Sequence, residues 1–199
     1  MTATRERQRV VFPKNWTFDL ADELVDDIKA EFDPAVAVAE LAPKVAGKPI
    51  AEAKQIAEKF FTDYGQRWMD RTIELGNVHR DRAYEALLAA VEKTGEMGFP
   101  FIPERFVEIA YLSTQPIYSL PIVEATKKAF GFKIVFCDTL NALREQCGDE
   151  LADQLPCRQA CLTASERAFT AHGFKVESSQ ESNLISDEFC QFRFARKDA

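Results

Sequence analysis

The longest helical pattern in the chain runs from Ile50 to Leu75, and it dictates most of what the first half can fold into. Ile56, Phe60, Tyr64 and Trp68 recur at four-residue intervals and line one stripe of a helix, with Phe61 and Thr72 beside it. Gly76 is the expected stop. Shorter patterns flank this one. Leu20, Leu24, Ile28 and Phe32 follow Thr17 and Asp19, which can cap a first turn, and Asp33-Pro34 ends the run. A second helix opens at Pro34, uses Val36, Val38 and Leu41, and ends between Pro43 and Gly47. A fourth pattern carries Tyr84, Leu87, Leu88 and Val91 and stops at Gly95.

Past Gly95 the pattern changes. Gly98, Pro100 and Pro103 break a continuing helix, and the apolar Phe99, Phe101 and Ile102 between them predict a connector lying on the core and able to cover a pocket. Over Arg105 to Leu112, Val107, Ile109 and Tyr111 alternate as in a strand, the expected form, while Pro103-Glu104 is also a good helix start. Leu120 to Phe130 reads as a helix ended by Gly131, Phe132 to Cys137 as a buried strand, and Thr139 to Cys147 as a short helix. Pro156 opens a helix through Cys157, Cys161, Ala164 and Ala168 that ends at His172-Gly173. Phe174 to Ser179 and Glu188 to Arg196 read as a hairpin, with Cys190, Phe192 and Phe194 on one face and Gln191 and Arg193 on the other. The expected fold is α+β: a helical region over 1–98 packed on a mixed sheet region over 99–199, in one compact unit.

Composition removes several classes. Lys and Arg number 25 against 32 Asp and Glu, a formal charge of -7, which disfavours nucleic acid as a partner. No apolar run behind the arginines at positions 5, 7 and 9 suits a signal peptide, and none later is long enough to span a bilayer, so a cytoplasmic chain without a membrane partner is expected. There is no G-x-S-x-G elbow, glycine-rich phosphate loop, H-E-x-x-H or EF-hand pattern, and two histidines cannot supply a three-histidine metal site. The sequence names no cofactor.

All five cysteines fall between Cys137 and Cys190. Cys157 and Cys161 share a helix face, where they are packing residues, reactive thiols or half of a soft metal site. Directly after Pro156, Cys157 is expected in a first helical turn, where the helix dipole favours a thiolate. His172, at the end of the same helix, either interacts with the last carbonyls or, where the chain folds back, serves the cysteines as a base. Tyr111 belongs to the alternating segment that can face a cavity. Arg193 is either an exposed strand residue or a forked partner for a substrate carboxylate.

The segment Glu181 to Phe194, E-S-N-L-I-S-D-E-F-C-Q-F-R-F, resembles the closing hairpin of the L-2-amino-thiazoline-4-carboxylic acid hydrolase-like family. It is also similar to the ending of 4-vinyl reductase domains, where a cysteine followed by alternating aromatics completes an α+β ligand-binding fold. The likeness covers the last third to half of the chain. Where these families have a Cys-Pro step this chain has Gln115-Pro116, so only Cys190 carries over as a motif residue. The resemblance implies a small-molecule enzyme that opens a cyclic carbon–nitrogen bond with water, with Cys157 or Cys161 as the thiol, His172 moving a proton, and Tyr111, Cys190, Phe192 and Arg193 around the substrate. The alternatives are a binding module for a hydrophobic or tetrapyrrole-like ligand, a thiol-rich metal or redox protein, and an accessory subunit or homo-oligomer.

Overall fold

The computed structural model describes residues 22–95, 98–115 and 120–198. The expected caps at Thr17 and Asp19, Leu20, and Pro116 of the Gln115-Pro116 step lie outside them. Five helices come first: α1 (Asp22–Glu31), α2 (Pro34–Val45), α3 (Ile50–Val78), α4 (Arg82–Thr94) and α5 (Phe101–Thr114). Asp33 caps α2, its carboxylate accepting from the amides of Ala35 at 2.7 Å and Val36 at 3.2 Å, with Pro34 preset for the first turn. Asp81 caps α4 in the same way, accepting from Tyr84 N at 2.8 Å. Gly95 ends that helix at φ 66°, where a side chain would be strained.

The second half holds β1 (Ile122–Ala125), β2 (Ala129–Ile134), α6 (Asp138–Cys147), α7 (Asp149–Ala152), α8 (Arg158–Ala171), β3 (Val176–Ser182), α9 (Leu184–Asp187) and β4 (Cys190–Arg196). The strands form one antiparallel sheet in the order β1-β2-β4-β3. Phe130 pairs with Phe194 and Phe132 with Phe192 across β2 and β4, so four buried phenylalanines share the inner face. Helix α8 packs on that face through Phe169, whose ring centroid lies 5.6 Å from Phe194 and 5.9 Å from Phe130. Helix α5 reaches the sheet through Tyr111, 5.4 Å from Phe132. The expected α+β architecture, with helices preceding the sheet, is the observed one.

Three local expectations are overturned. Arg105 to Leu112 is helix, inside α5, because the whole segment is buried: Phe106, Val107, Ile109, Ala110 and Tyr111 are all covered, and a helix enclosed on every side shows no single stripe. Pro103 fits within its first turn, and Arg105 is anchored by a 2.5 Å ion pair to the buried Asp81. Leu120 to Phe130 is not helix but the hairpin β1-β2. Its turn is held by Thr126, whose hydroxyl accepts from the amides of Lys128 and Ala129 at 3.2 and 3.0 Å. Gly131 therefore sits mid-strand opposite Glu124 and Arg193. Finally, Gly76 does not end α3. The helix runs on to Val78, and the glycine makes room for Phe106, whose ring would lie 2.8 Å from any Cβ there.

Among the described residues no helix is long and apolar enough to cross a membrane.

Candidate functional site

Helix α3 crosses α8 at close range. A Cβ on Gly65 would collide with the backbone oxygen of Ala160 and lie 2.9 Å from its Cα, so only glycine permits this approach. The crossing brings Tyr64 and Trp68 of α3 to the start of α8, where Cys157 is the N-cap residue and Cys161 lies one turn on. The sheet supplies the opposite wall. Ile134 at the end of β2 pairs with Cys190 at the start of β4, and Cys137 follows three residues after Ile134. The end of α5 closes the ring with Tyr111, Thr114 and Gln115, and Gln115 is tied down by accepting from Asp138 N at 2.9 Å. Between these walls lies a narrow chamber of about 30 Å³, enough for a single small group or a water.

Four of the five cysteines, Cys137, Cys157, Cys161 and Cys190, line that chamber together with Tyr111 and Phe192. Cys147, at the end of α6, is not among its lining residues. An open vestibule of about 370 Å³ shares Cys137, Cys157, Arg158 and Cys190 with the chamber and extends outward between the segment 152–156 and the β3–β4 connection. A second cleft, of about 520 Å³, adjoins the chamber at Pro34, Thr114 and Gln115 and is lined by Asp26, Lys29, Asp33, Asp138 and Glu145. Burial, and then the charge of Asp33, raises the Asp138 carboxyl above its ordinary value.

The chamber disfavours negative charge. Burial pushes the Cys137 thiol up to about 11, with smaller opposing help from the backbone amides of Leu140 and Thr139. It pushes Cys157, Cys161 and Cys190 up as well, each reinforced or opposed only secondarily by neighbours. The hydroxyls of Tyr111 and Tyr64 move in the same direction for the same reason. At neutral pH these thiols are therefore protonated. This overturns the expected thiolate at Cys157. The residue is the N-cap of α8 and lies outside its first turn, and the loss of water outweighs the pull of the neighbouring Arg158 guanidinium.

The remaining expected residues separate. His172 follows the far end of α8, eleven residues beyond Cys161, about 16 Å along the axis. Its Nδ1–H donates to Ala168 O at 2.8 Å and its ring stacks on Phe106 at 5.0 Å, and burial holds its pKa below the ordinary 6.5. It caps a helix end and does not reach the thiols. Arg193 lies on the outer sheet face, where its Nε donates to Glu124 at 2.9 Å. The cation at the chamber is Arg158, exposed at the boundary of chamber and vestibule and paired with no carboxylate among the described residues. Only its place after Pro156-Cys157 could have flagged it. Trp68 also lines the chamber, although its position on the α3 stripe reads as core. Among the described residues no group of three or more His, Cys, Asp or Glu side chains is placed to hold a metal ion.

Comparison of the chain with family models, curated proteins and solved structures finds no match.

Proposed function

We propose that this chain is a small-molecule enzyme that opens a cyclic carbon–nitrogen bond with water, working at the thiol-lined chamber and its vestibule. The observation that carries the reading is the convergence of four cysteines, Tyr111 and Phe192, from four separate stretches of sequence, on one cavity. The dimensions favour a compact ring: a chamber of about 30 Å³ that shares four lining residues with a vestibule of about 370 Å³ admits one group of a small heterocycle and excludes a tetrapyrrole macrocycle from the thiols. Arg158 at the mouth pairs with an anionic substituent.

Because the thiols are protonated, the substrate supplies the base. The proton of Cys157 or Cys161 passes to the ring nitrogen as sulfur bonds to the amidine carbon. The exocyclic amine then forms a double bond to that carbon as the ring carbon–nitrogen bond breaks, and its proton passes to the departing nitrogen, which leaves as a neutral amine. Water displaces sulfur from the carbon and returns a proton to the thiol, so the net change is addition of one water across the bond. The experiment is incubation with 2-amino-thiazoline-4-carboxylate, followed by mass spectrometry. Ring-opened product that disappears in Cys157→Ala or Cys161→Ala is expected. No product from wild type, or identical turnover in both variants, defeats the reading.

The neutral thiols also favour a second reading, a binding module that retains its ligand unchanged. Recovery of intact ligand after long incubation, with saturable binding, distinguishes it.

A further inference from the structure

Two hydrogen-bond donors at the chamber have no acceptor among the protein's own nitrogen and oxygen atoms: Trp68 Nε1–H and the Tyr111 hydroxyl. Both residues are almost fully buried, at 3% and 2% exposure, both line the chamber, and their rings meet edge-on with centroids 5.0 Å apart. Tyr64, on the same wall, provides the contrast, since its hydroxyl donates to Phe32 O at 2.9 Å. An indole N–H can only donate, and the Tyr111 hydroxyl meets the weakly accepting Cys161 thiol. A buried donor left without a strong acceptor costs stability, so two of them on residues that line one small cavity mark a place suited to an acceptor atom.

We infer that Trp68 and Tyr111 form a subsite at the inner end of the chamber that binds one uncharged acceptor atom of the ligand, an imine-type ring nitrogen or a carbonyl oxygen. The acceptor is uncharged because the only cation lining the chamber among the described residues, Arg158, is exposed and shared with the vestibule, and burying an anion beyond it would carry a large desolvation cost. The ligand is thus read at two points: an anionic group at Arg158 and an acceptor atom at the indole and the phenol. This rests on the proposed reading of the chamber as a substrate site and specifies the substrate class, a small ring that bears a carboxylate and a neutral ring acceptor. Donors on the ring nitrogen also draw electrons from the adjacent carbon that sulfur attacks.

The test uses two probes of the same size and charge, thiazole-4-carboxylate, which has a ring nitrogen, and thiophene-3-carboxylate, which has none. Trp16→Phe leaves Trp68 as the only indole in the chain, so one ¹⁵N-labelled indole resonance reports on the subsite. Thiazole-4-carboxylate is expected to move that resonance downfield and to bind about tenfold more tightly than the thiophene. Tyr111→Phe, which removes only the hydroxyl, should reduce that preference, and Trp68→Phe should reduce it independently. Equal affinities with an unmoved indole resonance overturn the subsite, as does a preference that survives both variants. If both probes nevertheless slow alkylation of Cys157 and Cys161 alike, the chamber remains a ligand site and only the acceptor assignment falls. If neither probe binds or protects, both readings fall, and the donors serve an ordered water.

Discussion

At its C-terminal end α8 buries Ala168 and Phe169 among Phe99, Phe130 and Phe194, and its one polar ring there, His172, donates to a carbonyl and stacks on Phe106. At its N-terminal end, thirteen residues earlier, the same helix meets the same sheet beside thiols, a cavity and two buried donors without a nitrogen or oxygen acceptor among the described residues. Both ends are aromatic-rich, so composition does not separate them. The difference is how completely polar groups and volume are accounted for. At one end Phe169 and His172 are fully engaged by their neighbours, and the other leaves a cavity and hydrogen-bonding capacity that packing does not need.

The sharpest way to break this contrast is mutation at each end. Phe169→Ala should destabilise the protein by about 3–5 kcal/mol, whereas Cys161→Ala should cost only about 1 kcal/mol, both read from urea unfolding. Comparable losses would mean that the chamber is simply more core. Gly65→Ala acts on the crossing that presses α3 onto α8, and overpacking there should cost about 1–3 kcal/mol. It should also weaken binding of thiazole-4-carboxylate, since Tyr64 and Trp68 would be pushed from the thiols. A loss of stability without a loss of binding would separate the crossing from the site.

Protonation gives each end its own pH signature. The thiol of Cys137 rises from an ordinary 9.0 to about 11 on folding, so above pH 9 the unfolded chain ionises first and binds fewer protons than the folded one. Stability from this group is fully present below about pH 9 and is lost as pH rises toward 11, on the order of 3 kcal/mol in all. Cys137→Ala should flatten that alkaline slope. At the other end His172 is depressed below 6.5, so its contribution is present above that value and fades as pH falls through the lowered one. His172→Gln should remove this smaller acid-side slope and leave ligand binding untouched. A His172→Gln variant with altered affinity for the probe would reconnect the two ends of the helix.

The α3 stripe, the break at Asp33-Pro34, the helix after Pro156 and the final strand were legible because each announces itself locally, by spacing or by a proline. Helix α5 was not, since a segment buried all round carries no face, and the β1-β2 hairpin hides behind Thr126-Lys127-Lys128, a turn without glycine or asparagine. Within the site, Tyr111, Cys157, Cys161, Cys190 and Phe192 were legible as chemistry-bearing types, and all of them line the chamber. Arg193 and His172 were equally plausible by type and lie elsewhere. Choosing Arg158 over Arg193 required knowing that the β1 carboxylate of Glu124 sits opposite the latter, a contact between strands 69 residues apart. Trp68 was concealed by belonging to a helical stripe with Ile56, Phe60 and Tyr64 whose spacing reads as packing.

The most direct measurement is the alkylation rate of each cysteine, resolved by peptide mass spectrometry at neutral pH, with and without thiazole-4-carboxylate. Cys147 should react fastest and ignore the probe, while Cys137, Cys157, Cys161 and Cys190 react slowly and become slower together when it binds. Chamber thiols whose rates do not change with the probe, or a Cys147 protected as strongly as they are, would contradict a ligand site at the head of α8.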